Sequence, residues 1–295
     1  MTANPIFRGA ATALITPMTE KGVDYEALAR LIDWQIAEGI NGLVVTGTTG
    51  ESSTLSDEEH REVIRFATEK VAGRVPVIAG TGSNETAYAI ELTKHACEVG
   101  VDGVLVVTPY YNKATQNGLI RMYNAIADVS TVPVIVYNVP SRTGVSIEPS
   151  TYAQLAKHPR LQAIKEANSN ISKIVETMSL VGDQMDLYSG NDDQIVPLMS
   201  MGGLGIISVL SNIMPAKTVE ICDRFFKGDV AGAAKLQCEL MPLIKALFCE
   251  VNPQPVKKAM QLQGRDSGVL RRPMVEVESE HAKLLEKVMK EYGVL

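Results

Sequence analysis

The stretch VPVIVYNVPSRTGVSIEPSTYAQLAKHPRLQAIKEA, Val132 to Ala167, carries two short apolar runs, VPVIVY and LQAIK, with a polar segment of helical length between them. Runs that are apolar at nearly every position and rich in Val and Ile suit strands buried on both faces, the condition of a parallel sheet. Working outward, the same unit recurs. GAATALIT at Gly9, GLVVT at Gly42, VPVIA at Val75, GVLVV at Gly103, MDLYS at Met185 and GIISV at Gly205 bring the count to eight, each followed by a segment long enough for a helix. Eight such units predict an α/β protein folded as a (β/α)8 TIM barrel. From about Lys227 the patterning is helical around 231–248, 255–262 and 275–292, with no strand-like runs. The chain therefore reads as a barrel catalytic domain over residues 1–226 followed by a C-terminal helical extension over 227–295.

Local punctuation agrees with this reading. Asp24 can cap a first helix whose apolar stripe is Leu28, Leu31, Ile32 and Ile36 and whose stop is Gly39. Ser56 and Glu59 have the spacing of a capping box, and a third helix runs from Asn84 to Gly100. The rival fold, an open doubly wound sheet binding a dinucleotide, wants G-x-G-x-x-G after the first strand. The chain has TPMTEKG there, and its nearest imitation, GTGSNE at Gly80, follows the third strand and lacks the last glycine.

Composition narrows the function. In 295 residues, 45% are hydrophobic and 21% charged, no apolar run is long enough to span a bilayer, and the formal charge is -6. Neither a membrane nor a nucleic acid is expected as partner. Cys97, Cys222, Cys238 and Cys249 are scattered and read as reduced thiols, and the N-terminus lacks the marks of a signal peptide, so a cytoplasmic location is expected. The four histidines, His60, His95, His158 and His281, are not spaced as ligands, and no metal site is expected. There is no Gly-x-Ser-x-Gly elbow. GGLG before the last strand has no Lys or Arg beside it, which disfavours a phosphorylated substrate.

Barrel active sites are built from strand C-termini and the loops that follow them. Thr48 and Thr49 fall there in GTTGE, as do Tyr110 and Tyr111 in VTPYY, Tyr137 at the end of VPVIVY, and Lys165 at the end of LQAIK. A lysine at the rim of a barrel loses hydration, which disfavours its charged form, and a neutral amine attacks a carbonyl to give a Schiff base. The competing reading is a structural ion pair with Glu166, and position alone does not separate the two. Tyr137, one strand away, suits a proton shuttle. The hydroxyls and backbone N–H groups of Gly-Thr-Thr-Gly can cradle a small carboxylate, and the Arg142 guanidinium suits a second one. Each has a plainer reading, as a rim tyrosine, a strand-to-helix turn or a solvated arginine.

The ordered motifs GTTGES from Gly47, VTPYYN from Val107, YNVPSRTG from Tyr137, IKEA from Ile164, YSGND from Tyr188 and NPQPVK from Asn252 resemble those of the dihydrodipicolinate synthase family, within the N-acetylneuraminate lyase superfamily. The resemblance implies a class I aldolase-type condensation in which Lys165 forms a Schiff base with pyruvate, whose enamine attacks L-aspartate 4-semialdehyde, without any other cofactor. It further implies a proton relay of Tyr137, Thr48 and Tyr111, a pyruvate carboxylate held by Thr49, a semialdehyde carboxylate on Arg142, and a backbone contact from Ile207. Tyr111 would be donated by a neighbouring subunit, which implies a homotetramer built as a dimer of dimers. N-acetylneuraminate lyase or another pyruvate-dependent aldolase is the alternative. GTTGE and Arg142 favour the shorter, carboxylated aldehyde. An idle paralogue acting as a binding protein would have lost Lys165 or Tyr137. Ser52, Ser53, His60, Asn84 and Tyr110 match positions that line a lysine effector cleft in some members. Asp57 and Tyr88 depart from that pattern, Tyr88 replacing a Glu that would meet the effector's ammonium, so weak or absent inhibition by lysine is expected.

Overall fold

The computed structural model describes residues 4–295. Eight parallel strands close on themselves: β1 Gly9–Ala13, β2 Gly42–Val45, β3 Val77–Gly80, β4 Gly103–Val107, β5 Val134–Asn138, β6 Leu161–Glu166, β7 Asp186–Ser189 and β8 Gly205–Ser208. Each pairs with its sequence neighbours, and β1 pairs with both β2 (Ala11 opposite Gly42) and β8 (Gly9 opposite Gly205), which shuts the barrel. At that seam a Cβ on Gly205 would lie 1.8 Å from the Gly9 carbonyl oxygen, and its φ of +141° suits glycine alone.

The near-continuous apolar runs have the reason the sequence suggested. Successive side chains alternate between an outer core under the helices and a filled barrel interior. On β5, Val134 and Val136 join the outer core while Ile135 and Tyr137 point inward, beside Ala11, Val44, Ile78, Leu105 and Ile207. The bottom of the barrel is plugged by Phe7 stacked on Tyr188 at 4.2 Å, with the Tyr188 hydroxyl donating to the Phe7 carbonyl.

The helix signals hold with small shifts. Asp24 caps the helix Tyr25–Ala37, and Ser56 with Glu59 forms the capping box of Asp57–Val71. The third helix is Thr86–Glu98, two residues later than the start expected at Asn84; Glu85 caps it, and the Asn84 side chain donates to the Tyr110 carbonyl. A small hairpin, Met18–Thr19 with Gly22–Val23, had no sequence signal. The connection from β7 to β8 holds only the five-residue helix Ile195–Met199 and a preceding 3-10 turn. After Pro215–Phe226 come Val230–Leu247, Gln254–Leu262 and Ser279–Glu291. The last of these begins four residues later than the pattern from Val275 suggests, since the Glu278 N–H is tied to the Glu250 carboxylate.

Candidate active site

On β6, Ala163 faces the barrel interior and Ile164 the outer core, so Lys165 faces inward and Glu166 outward. Lys165 sits opposite Tyr137 in register, and its Nζ lies 4.2 Å from the centre of the Tyr137 ring. It is 6% exposed and has neither hydrogen bond nor ion pair among the described residues. Burial pulls its pKa from 10.5 to about 7; the Asp192 carboxylate opposes this and the Arg142 guanidinium adds to it. The Asp192 carboxylate is held by the Val209 and Leu210 N–H groups and the Ser208 hydroxyl.

The ion-pair reading of Lys165 with Glu166 is not what the chain adopts. Glu166 turns away from its neighbour and accepts from Asn138 Nδ2 at 3.0 and 3.1 Å, the Asn168 N–H at 2.8 Å and the Tyr152 hydroxyl at 3.2 Å. Burial pushes this carboxyl up to about 7 in spite of those donors. The alternation of a strand decides the matter: adjacent residues cannot share a face.

Tyr137 is buried, and its hydroxyl is hydrogen-bonded with Thr48 in the turn after β2. Burial raises its pKa, while Arg142 and the Thr48 hydrogen bond work against that rise. Thr49, next in the turn, accepts from Asn252 Nδ2 at 3.0 Å. Arg142 comes from a short helical turn, Pro140–Thr143, that follows β5, and its Nη2 donates to the Asn252 carbonyl at 3.0 Å. Lys165, Tyr137, Thr48, Thr49 and Arg142 all line one cavity of about 220 Å³ at the C-terminal mouth of the barrel. An adjoining hollow of about 260 Å³ shares Thr48, Val139, Arg142 and Asn252 and runs out past Ser52 and Tyr110. A larger hollow of about 610 Å³ between the C-terminal helices is lined by none of the sequence-predicted groups.

Two predicted residues do not line the cavity of about 220 Å³. Tyr111 is 92% exposed on the loop after β4, with φ +70°. Ile207 is buried in the barrel interior on β8. Four residues had been given no role by the sequence reading: Asn252, Asp192, and the buried pair Glu51 and Lys257. Their signal was present in the motifs YSGND, GTTGES and NPQPVK, but only the fold brings these to one end of the barrel. Among the effector-cleft positions, His60 is buried with Nε2 2.8 Å from the Gly80 carbonyl. The two departing residues meet, the Tyr88 hydroxyl bonding the Asp57 carboxylate. Among the described residues no helix is long and apolar enough to cross a membrane, and no group of three or more His, Cys, Asp or Glu side chains could hold a metal ion.

Residues 6–292 match the model of the dihydrodipicolinate synthetase family. A 4-hydroxy-tetrahydrodipicolinate synthase of Lachnoclostridium phytofermentans is 53% identical over 292 residues, covering 98% of this chain and 99% of the relative. Among solved structures, dihydrodipicolinate synthase of Aquifex aeolicus superposes with a TM-score of 0.96 at 43% identity, over 98% of this chain and 99% of that one. A dihydrodipicolinate synthase described as a monomeric variant also matches with a TM-score of 0.96 at 43% identity, over 98% of each chain.

Proposed function

The chain belongs to the dihydrodipicolinate synthetase family, and on that premise we propose that its reaction runs through a Schiff base on Lys165. The activity is that of a 4-hydroxy-tetrahydrodipicolinate synthase, a lyase that condenses pyruvate with L-aspartate 4-semialdehyde in lysine and diaminopimelate biosynthesis. The curated relatives carry that name and not the name of the N-acetylneuraminate lyase considered as the alternative.

One observation carries the mechanism: a buried, unpaired lysine with a pKa near 7 lies against a buried tyrosine. The neutral Lys165 amine adds to the pyruvate carbonyl, and loss of water gives the imine. Removal of a methyl proton yields the enamine, which forms the carbon–carbon bond to the aldehyde. The aldehyde substrate's own amino group then displaces Lys165 as the ring closes. Tyr137, bonded to Thr48, shuttles the protons of these steps. Thr49 and the backbone of its turn hold the pyruvate carboxylate, and Arg142 receives that of the semialdehyde. Ile207 contributes a backbone contact near the imine, and no further cofactor is required.

Tyr111 completes the relay from a second copy, a reading supported by its exposure in the single chain. The assembly is a homotetramer, a dimer of dimers. Borohydride reduction in the presence of pyruvate tests the central step: the adduct is expected on Lys165 and absent from Lys165→Ala, and an adduct on any other lysine refutes it. Mixing Lys165→Ala with Tyr111→Phe under subunit exchange should restore part of the activity, because each mixed dimer contains one site with both residues intact. No recovery would refute the donated tyrosine.

A further inference from the structure

The turn Gly47–Glu51 presents both threonines and closes on itself through the Glu51 N–H to the Thr48 carbonyl at 3.1 Å and the Ser52 N–H to the Gly47 carbonyl at 3.3 Å, bonds that by themselves do not fix its strained ends. Thr46 and Glu51, which bracket it, are non-glycine residues with φ of +51° and +55°. Such conformations persist where the surroundings over-determine them. At Thr46 they are the end of β3, whose Gly80 carbonyl accepts from the Thr46 hydroxyl at 3.1 Å; at Glu51 they come from the C-terminal extension. The ammonium of Lys257, wholly buried, donates to Glu51 Oε1 at 2.8 Å, the Thr16 carbonyl at 3.0 Å and the Val269 carbonyl at 2.5 Å. The Arg271 N–H reaches the other Glu51 oxygen at 3.1 Å, and its guanidinium holds the Thr54 carbonyl and the Glu59 carboxylate. Thr16 anchors the turn from below, donating to the Gly50 carbonyl at 2.7 Å.

Lys257 and Asn252 lie in the one motif NPQPVK, so a single segment touches Thr49, Glu51 and, through the Asn252 carbonyl, Arg142. A buried ion pair adds little net stability compared with well-packed apolar residues, so its place beside the site points to a second use. We infer that Lys257 and Glu51 are positioning residues that lock the carboxylate-binding turn, so that the C-terminal extension sets the enzyme's affinity for pyruvate without touching it. This rests on the reading of that turn as the pyruvate carboxylate site.

The test compares Lys257→Met, Lys257→Gln and the double variant Glu51→Gln/Lys257→Met with the unmodified enzyme, measuring KM and kcat for pyruvate and thermal stability. Loosening the carboxylate-binding turn weakens binding of pyruvate, so its KM should rise about tenfold or more in Lys257→Met and the double variant, and by less in Lys257→Gln, which keeps a donor toward Glu51. Thermal stability should fall most in Lys257→Met, which leaves the Glu51 charge buried and unpaired, and recover in the double variant while KM stays high. If KM is unchanged and only kcat falls in proportion to the folded fraction, the pair is merely structural and the inference fails. Lys257→Gln keeps a donor toward Glu51 and serves if Lys257→Met does not fold. Thr49→Val separates the two ideas: if it leaves the pyruvate KM unchanged, the carboxylate reading falls, and if it raises KM while the Lys257 variants do not, only the positioning inference falls.

Discussion

Imine formation should titrate with a midpoint near pH 7, because burial brings the Lys165 amine from 10.5 to about 7. With that value about nine-tenths of the amine is neutral at pH 8, against about 0.3% for an ordinary lysine, an advantage of roughly 300-fold in reactive nucleophile. The assay is the initial rate of borohydride-trapped pyruvate adduct at subsaturating pyruvate, followed across neutral pH. The rate should climb through pH 7 and level off by about pH 8. Were it still rising tenfold per unit beyond pH 8, Lys165 would be an ordinary lysine and the burial argument would be refuted. Stability carries the same signature with a defined sign. Between pH 7 and 10.5 the unfolded chain holds the Lys165 proton and the folded chain does not, so stability rises with pH across that window. The group costs about 4 kcal/mol at pH 7 and about 5 kcal/mol well below it. Lys165→Met, of similar length and uncharged, should therefore raise Tm by several degrees at pH 7, and the gain should vanish as pH approaches 10.5.

Glu166 runs the other way: its carboxyl is raised from 4.5 to about 7, so the folded chain holds the extra proton and stability falls as pH climbs through that window, by as much as about 3 kcal/mol. Glu166→Gln should flatten this slope in denaturant titrations at pH 5 and 8, and an unaltered slope would place the titration elsewhere. Gly205→Ala forces a Cβ into the Gly9 carbonyl at the barrel seam, so the soluble yield and Tm should drop sharply, with a loss of at least about 3 kcal/mol. A Tm within a degree of the unmodified chain would show that the seam is not closed as described. Lysine should inhibit weakly, since Tyr88 is occupied with Asp57 and offers no carboxylate for the effector's ammonium. A lysine titration with half-inhibition well below the millimolar range would refute this.

The eight strands were legible because a strand buried on both faces must be apolar at nearly every position, and capping signals at Asp24 and Ser56 depend on residues only a few positions away. Lys165 and Tyr137 were legible as candidates for the same reason: a polar residue ending an apolar run stands at the barrel mouth. Less legible was the extent of the elements between β7 and β8 and the start of the last helix, where the competing partner, Glu250 for the Glu278 N–H, lies far away in sequence.

By itself, then, the sequence determined the barrel and the amine and hydroxyls that stand at the C-terminal ends of its strands, since these follow from local periodicity and residue type. Tertiary structure decided the rest. It buried Lys165, which brings its pKa down to about 7, and turned Glu166 to the other face, where Asn138 holds it, so that the two form no ion pair. It also brought Asn252, Lys257 and Arg271, roughly two hundred residues downstream, against the turn of Thr48 and Thr49. Desolvation and long-range hydrogen bonds depend on what closes over a residue, and no window of sequence around Lys165 or Glu51 contains the groups that do so.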